Sequence, residues 1–395
     1  MKATRQLKKA LCTGLAAGLI LGCLAGCGNG TDPVGGMPAE ETTAPQGTKE
    51  PGEPVNTTDG LPAETASAPK ETEAPPVPTP KETEAPPAPT PKETEAPSES
   101  ISEKEVVFNG PEKPFTGTHY VVPEGVTKIG EGAFSGCSSL ISVEIPEGVN
   151  EIGIRAFYYC FSLTGVEIPE GVTEIGEEVF RECYALTSIK LPKGVTEIGG
   201  SAFLYCVGLN SIELPESLTK IGVEAFHSCR SLTNIELPEG MIEIENGAFY
   251  DCSSLTGIDI PEGVAEIGRD TFYGCSSLTD IDIPEGVTKI GSSAFSGCSS
   301  LTGIELPESL TKIGVGAFQR CKSLTSIELP EGLTEIEGAV FSECSSLASI
   351  KIPKSVTRIA ENAFYGCESL TSIKLPEGLD ISKLGLPEGV EITYY

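Results

Sequence analysis

Tryptophan is absent from this sequence of 395 residues, which has only two histidines, His119 and His227, and three methionines. Cationic side chains are also scarce: 27 lysines and arginines stand against 57 aspartates and glutamates, so the formal net charge is −30 at pH 7. A charge of this sign argues against nucleic acid or an anionic lipid surface as a partner. No nucleophile, base and orienting acid recur together as a set. We therefore expect a protein that is not an enzyme and holds no cofactor, with both histidines on its surface.

Long apolar runs are missing except near the N-terminus. There a basic head, residues 2–9, precedes an apolar stretch from Ala10 to Leu24. The stretch is too short for a spanning helix and is typical of a secretory signal. It ends in "LAGC", which resembles the lipobox of bacterial lipoproteins. The resemblance implies that residues 1–26 are a lipoprotein signal peptide and that Cys27 carries the lipid. We expect an exported protein, lipid-anchored at the bacterial cell surface; an ordinary signal peptide that contains a cysteine is the alternative.

Residues 27–105 have few large apolar side chains and hold 16 of the 31 prolines, with many Thr, Glu and Ala. Within them, "PKETEAPPVPT" recurs with small changes at a period of 11 residues. Such a segment cannot bury enough apolar surface to offset its chain entropy, and its prolines favour extended conformations. We predict a disordered stalk that holds a folded domain away from the cell; a linker without that role is the alternative.

A repeat of 23 residues occupies the remainder of the chain. Proline recurs at this spacing from Pro123 to Pro376, and cysteine from Cys137 to Cys367. Eleven full repeats follow one another without an insertion over residues 123–375. The flanking residues 106–122 and 376–395 carry only parts of the pattern. Because the ends of a repeat array must be sealed, we interpret these flanks as N- and C-terminal caps.

One repeat predicts one coil of a solenoid. Leu140, Val143 and Ile145 have the L-x-x-L-x-L spacing of a strand with one buried face, which Pro146 ends. A short extended segment follows, and the residues 156–160, "AFYYC", suggest a one-sided helical turn. A single coil cannot bury its apolar side chains, but stacked coils can. The prediction is an α/β leucine-rich-repeat solenoid of about eleven coils between two caps.

The recurrent "AF-x-x-C-x-S-L-T-x-I-x-L-P-x-G-V-T-x-I-G" resembles the BspA-like leucine-rich repeats of bacterial surface proteins. The resemblance implies adhesion, with host matrix proteins, epithelium or other bacteria as partners. The alternative is a structural or glycan-binding module of the cell envelope without a host ligand. Stacked, exposed aromatic rings would favour sugar binding, and we expect none, because Tyr158, Tyr159, Tyr205 and Tyr250 fall on the predicted helical side.

The cysteine column has one thiol in every coil. A tetrahedral metal site needs converging ligands, which a line of single cysteines does not supply. We interpret the column as buried small hydrophobic side chains. Disulfides between adjacent coils are the alternative, because stacked Cα atoms lie within the range that a disulfide spans.

The predicted strand face is acidic along six consecutive coils. Its central outward position is occupied by Glu213, Glu236, Asp259, Asp282, Glu305 and Glu328. The position after the proline is occupied by Glu216, Glu239, Glu262, Glu285, Glu308 and Glu331. We call these twelve residues the acidic strip. It is either a solvated face that keeps the protein soluble, or a docking surface for a basic protein partner or for weakly bound Ca²⁺. A secondary, basic cluster follows it: Lys351, Lys354, Arg358 and Lys374.

Overall fold

The computed structural model describes residues 105–395 of the chain. The predicted signal peptide, Cys27 and the predicted stalk up to residue 104 lie outside the described residues. All assigned elements are β-strands, and they form two ladders that run along a solenoid. The first ladder contains the longer strands: β2 (His119–Val121), β4 (Ser142–Glu144), β7 (Ser188–Lys190), β9 (Ser211–Glu213), β12 (Gly257–Asp259), β14 (Asp280–Asp282), β18 (Ser349–Lys351), β20 (Ser372–Leu375) and β21 (Glu391–Tyr394).

The second ladder contains strands of two residues each. They are β1 (Val107–Phe108), β3 (Lys128–Ile129), β5 (Glu151–Ile152), β6 (Glu174–Ile175), β8 (Glu197–Ile198), β10 (Lys220–Ile221), β11 (Glu243–Ile244), β13 (Glu266–Ile267), β15 (Lys289–Ile290), β16 (Lys312–Ile313), β17 (Glu335–Ile336) and β19 (Arg358–Ile359). Every pairing in both ladders is parallel, and partners within the repeats lie one repeat apart, as Ile258 and Ile281 do. The repeat therefore sets the register, and counting both caps about 13 coils are stacked.

The predicted solenoid is confirmed, but the predicted helical turn is not, because the described residues contain no helix. Backbone donors of the "AFxxC" segment alternate between two kinds of partner. The Ala156 N–H donates to the Gly153 carbonyl at 3.1 Å, whereas the Phe157 N–H donates to the Val179 carbonyl of the next coil at 2.9 Å. A helix would use every donor within its own coil. Left-handed residues such as Tyr159 (φ 62°) turn the chain so that alternate donors reach the neighbouring coil.

The core is a set of columns with one residue from each coil. A phenylalanine column runs from Phe134 to Phe364, and neighbouring rings are stacked with centroids 5.1–5.8 Å apart. These rings are fully buried, as are the cysteine column and most of the inward leucines and isoleucines. Each column is covered by the same residue type one coil away, so burial between neighbours holds the coils together.

Each end of the solenoid is closed by a different arrangement. At the N-terminal end, Phe108 packs on Phe134 with ring centroids 5.4 Å apart, and Phe115 packs on Tyr120 at 5.7 Å. At the C-terminal end, β21 pairs with β20. There the buried Leu384 replaces a further Phe and Cys as cover for the last complete coil.

Candidate interaction surface

The acidic strip lies on the first ladder, as its spacing predicts. Three of its central carboxylates, those of Glu213, Asp259 and Asp282, belong to strands β9, β12 and β14. The other three lie in extended segments of coils where the first ladder has no assigned strand. Eleven of the twelve side chains are exposed, and Asp282 is half-buried. At a strand spacing of about 4.8 Å, the strip covers roughly 24 Å along the solenoid.

The two outward columns of the strip hold no cation between their first and last coils, although the sequence places lysines in the same columns on either side. On the N-terminal side Lys190 is the register partner of Glu213. On the C-terminal side the Lys351 Nζ lies 3.7 Å from Glu331. In β12 and β14, Asp259 and Asp282 are direct register partners, an unfavourable placement for two like charges. The strip is therefore a continuous acidic surface with cations at both ends.

The second ladder is also rich in glutamate, but cations divide its column into paired groups. Lys220 Nζ lies 3.4 Å from Glu197 and 3.1 Å from Glu245, and hydrogen bonding to Glu245 raises the pKa of Lys220. Similar pairs join Lys128 with Glu151 and Lys289 with Glu266. Its negative charge is compensated locally, which leaves the first ladder as the more electronegative of the two faces.

The basic cluster is only partly brought together. Lys351 and Lys374 are register partners on β18 and β20. The Lys351 and Lys354 ammonium groups lie 5.9 and 5.6 Å from the centroid of the Tyr395 ring, within the range of cation–π attraction. Arg358 lies on the second ladder instead, where it pairs with Glu335. The cluster therefore consists of three lysines, of which Lys351 and Lys354 lie over the Tyr395 ring and Lys374 is the register partner of Lys351.

Stacked aromatic rings lie on the turn edge, which we define as the side of the coils that carries the "AFxxC" segments. Phe161 and Tyr184 stack at 5.0 Å with planes 5° apart, and both are exposed, at 38% and 41%. Tyr250 and Tyr273 stack at 4.6 Å. The expectation of no stacked, exposed aromatic rings is therefore wrong. Phe161 and Tyr184 directly follow a repeat cysteine, and Tyr250 and Tyr273 stand two residues before one. Both positions vary from coil to coil, and aromatic residues there in neighbouring coils are the signal that predicts the stacks.

A buried carboxylate organises one end of this edge. Glu178 is only 7% exposed and accepts two hydrogen bonds from the Arg155 guanidinium, at 3.0 and 2.9 Å. Hydrogen bonding to Arg155 holds the pKa of Glu178 below its ordinary value, with a further contribution from Arg181. Both guanidinium groups lie within 6 Å of the Tyr158 ring centroid, at 5.9 and 5.5 Å. Tyr158 in turn stacks on Tyr159 at 3.9 Å.

The eleven repeat cysteines are free thiols and buried, so their predicted burial is confirmed. Their role is more specific than that of small hydrophobic side chains. From the second coil onward each Sγ lies 3.0–3.2 Å from the Phe carbonyl of the preceding coil. Burial raises the pKa of the Cys160 and Cys321 thiols to about 12. They are therefore protonated at neutral pH and able to donate to these carbonyls.

The two histidines differ in environment. His119 is exposed on β2, where its ring contacts Ser142 at 2.9 Å and Glu144 at 3.3 Å. His227 is half-buried between the rings of Tyr205 and Tyr250, and this burial lowers its pKa. His119 is exposed, as predicted, whereas His227 is only partly exposed.

Within residues 105–395 no three His, Cys, Asp or Glu side chains are placed to hold a metal ion together. The same part of the chain has no helix long and apolar enough to cross a membrane.

Comparison with known proteins adds a family and several similar structures. The family model for the BspA-type leucine-rich repeat region matches residues 116–232, 196–324 and 288–385. A leucine-rich repeat protein from Bacteroides ovatus is 28% identical over 70% of this chain and 92% of its own, with a TM-score of 0.43. A leucine-rich cell surface protein from Faecalibacterium prausnitzii is 28% identical over 71% of this chain and 88% of its own, with a TM-score of 0.46. No curated protein matches the chain significantly.

Proposed function

The chain belongs to the BspA-type leucine-rich-repeat family, and from this we propose that it is a surface-displayed adhesion module that docks a basic protein partner on its acidic strip. Leucine-rich-repeat solenoids are scaffolds for protein interaction rather than enzymes. A solenoid offers an extended surface on which the same outward position recurs in each coil. Such a surface suits adhesion, in which a partner makes the same weak contact with each of several coils.

The observation that carries the proposal is the contrast between the two ladders. Both are rich in carboxylates, but the second ladder carries its own cations whereas the strip has none between Glu213 and Glu328. Solubility alone does not require the cations to lie on one ladder and not on the other, because exposed carboxylates on either ladder would keep the protein soluble equally well. A strip whose outward columns contain no Lys or Arg attracts a basic partner, raises the rate of encounter and fixes the register of the complex.

Display at the cell surface is the second part of the proposal. It rests on the basic head, the apolar stretch and the "LAGC" that ends at Cys27, together with the proline-rich segment that separates Cys27 from the first coil. Lipid on Cys27 would hold the protein at the membrane, and the proline-rich segment would act as the spacer.

The test reverses charges on the strip of the full chain. Glu236→Lys, Asp259→Lys and Glu305→Lys together replace three exposed carboxylates of the central column. We expect adhesion of cells that display this variant to fall about tenfold or more, and adhesion of wild-type cells to weaken with salt, because the Debye length is about 8 Å at physiological ionic strength. Binding is measured on immobilised extracellular-matrix proteins and on layers of epithelial or bacterial cells.

A matched control makes the same change of charge elsewhere. Glu112→Lys, Glu174→Lys and Glu388→Lys alter exposed residues of the N-terminal cap, the second ladder and the C-terminal cap. We expect this control to keep its adhesion. Equal adhesion by the strip variant and the wild type, with unchanged circular dichroism, would reduce the strip to a solubility feature.

A further inference from the structure

One glutamate of the second ladder is held by two donors of the preceding coil. Glu245 Oε2 accepts the Val223 N–H at 2.9 Å, and Glu245 Oε1 lies 3.1 Å from Lys220 Nζ. Lys220 stands three residues before Val223, so both donors belong to one coil. A cation and an N–H that take the two oxygens of one carboxylate make charge-assisted hydrogen bonds, which are stronger than neutral ones. The repeat therefore contains a worked example of a carboxylate site.

The same pair of donors recurs three repeats later without a carboxylate. Lys289 and Ser292 occupy the positions of the two donors, and Gly314 occupies the position of Glu245. Glycine supplies no side chain, and the Ser292 N–H has no hydrogen-bond acceptor within residues 105–395. The two donors are therefore retained at this place in the solenoid, whereas the acceptor is missing.

Lys312 adds a second cation to these donors. Lys289 and Lys312 are direct register partners, an unfavourable placement for two like charges unless an anion lies between them. The following coil carries two glutamates on this ladder, Glu335 and Glu337, but both pair with Arg358. In the part of the chain that the structure describes, Lys312 is therefore left without a carboxylate partner.

These groups line an open groove of about 390 Å³ beside the second ladder. Arg269, Lys289 and Lys312 contribute three cations to its lining, and Glu266 contributes the one carboxylate. Glu266 pairs with Lys289, and Arg269 pairs with Asp270, which leaves the charge of Lys312 uncompensated. The groove is thus locally cationic within a chain of net charge −30, and it has room for an acidic side chain.

We propose that this groove binds an aspartate or glutamate side chain of a partner protein, between the ammonium groups of Lys289 and Lys312 and the Ser292 N–H. The chemistry of the ligand is inferred from Glu245, a polypeptide carboxylate that the chain itself places on the equivalent donors. The inference goes beyond the proposed function and does not depend on it. The acidic strip takes basic groups on the first ladder, whereas this groove takes an acidic group on the second.

The experiment observes the Ser292 amide directly by nuclear magnetic resonance. The full chain carries Cys27→Ser to prevent lipid attachment and is isotopically labelled at the serine nitrogens, and Ser292→Ala identifies the signal. The probe is N-acetyl-glutamate methylamide, and N-acetyl-glutamine methylamide is its uncharged control. At physiological ionic strength we expect the glutamate probe to shift the Ser292 amide proton downfield and saturably, with a dissociation constant on the order of 1 mM. The glutamine probe should leave the signal in place.

A matched pair of variants tests the role of Lys312. Lys312→Glu places a carboxylate of the chain's own beside Lys289, so we expect the glutamate probe to bind about tenfold or more weakly. Lys322→Glu makes the same change of charge at an exposed lysine outside the groove and should keep the binding. Circular dichroism checks that both are folded, and Lys312→Gln gives a milder form of the comparison should Lys312→Glu fail to fold.

A second experiment builds the site where it does not exist. Glu243→Lys together with Glu245→Gly gives Lys220 the same neighbours in the next coil that Lys289 has. The Val223 N–H then loses its internal acceptor. In a chain labelled at the valine nitrogens, we expect the Val223 amide to respond to the glutamate probe in this variant and not in the unaltered chain.

Four results would overturn the inference: a Ser292 amide that does not move at the highest concentration of the glutamate probe, an equal shift with the glutamine probe, undiminished binding by folded Lys312→Glu, or a folded double variant without the new site. Inorganic phosphate and glucuronate are titrated in the same way. Tighter binding of either than of the glutamate probe would make the groove a phosphate or sugar site and would exclude the acidic side chain as its ligand. A failure here leaves the proposed function intact, because Lys312 and Ser292 lie outside the acidic strip.

Discussion

Substitution of Cys252 tests whether the cysteine column supplies hydrogen-bond donors or only bulk. Its Sγ is fully buried and lies 3.1 Å from the carbonyl oxygen of Phe226 in the preceding coil. The same oxygen accepts the N–H of Cys229 at 3.1 Å, so it has two donors from two coils. If cysteine is only a small hydrophobic residue, Cys252→Val should be better tolerated than Cys252→Ser. If the thiol is a donor, the order should reverse.

The magnitudes follow from these contacts. Cys252→Ser keeps a donor that faces a carbonyl oxygen, so we expect a loss of only about 1 kcal/mol from the reduced burial of a soft atom. Cys252→Val loses a hydrogen bond of about 0.5–1.5 kcal/mol and places a methyl group near an oxygen that the sulfur approaches to 3.1 Å. Overpacking of that kind costs roughly 1–3 kcal/mol. The valine variant should therefore be the less stable of the two by about 0.5–3.5 kcal/mol.

The assay is urea unfolding of the full chain, followed by far-ultraviolet circular dichroism, with the midpoints compared at equal slopes. Cys137 provides an internal comparison, because it is buried in the first coil but has no Phe carbonyl of a preceding coil as its acceptor. At that position the serine variant should lose its advantage over valine. A valine variant of Cys252 as stable as the wild type, beside a less stable serine variant, would refute the donor role.

Four other outcomes are expected. Burial raises the pKa of Cys160 to about 12, so thiol reagents should label it and the other repeat cysteines only after denaturation. Phe249→Ala should cost about 3–5 kcal/mol in unfolding experiments, because it leaves a cavity between two stacked rings. The pKa of Glu178 is lower in the folded than in the unfolded protein, so its ionised carboxylate stabilises the fold above about pH 4.5. This stabilisation is lost as the pH falls through the pKa of the folded protein. Glu178→Gln should therefore cost about 1–3 kcal/mol at pH 7 and flatten the decrease of stability at acid pH. Cys27→Ala should shift the protein from the membrane fraction to the medium or leave it unprocessed, and unchanged processing would exclude lipid attachment there.

The solenoid itself was predictable because a strict repeat turns sequence spacing into spatial contact. Residues 23 apart become neighbours, so the spacing of Phe249 and Phe272 already predicts that their rings meet. Inward and outward positions follow from the alternation within a strand, which places Asp259 outside and Ile258 inside. The acidic strip was predictable for the same reason.

Tertiary structure alone decided how neighbouring coils share their hydrogen bonds. The "AFxxC" segment has the apolar spacing of a helical turn, but the adjacent coil offers carbonyl groups to alternate donors, and that competition replaces the helix with turns. The same stacking supplies an acceptor for Cys252, which no property of a single coil indicates. It also determines which partner of an ion pair lies outermost, as with Arg230 and Asp251, because exposure depends on how the side chains of two coils cover each other. The sequence by itself determined which residues meet, since the repeat length fixes the register. The stacking of the coils decided which hydrogen bonds those residues form and how deeply they are buried, because both depend on the pair of neighbouring coils rather than on either coil alone.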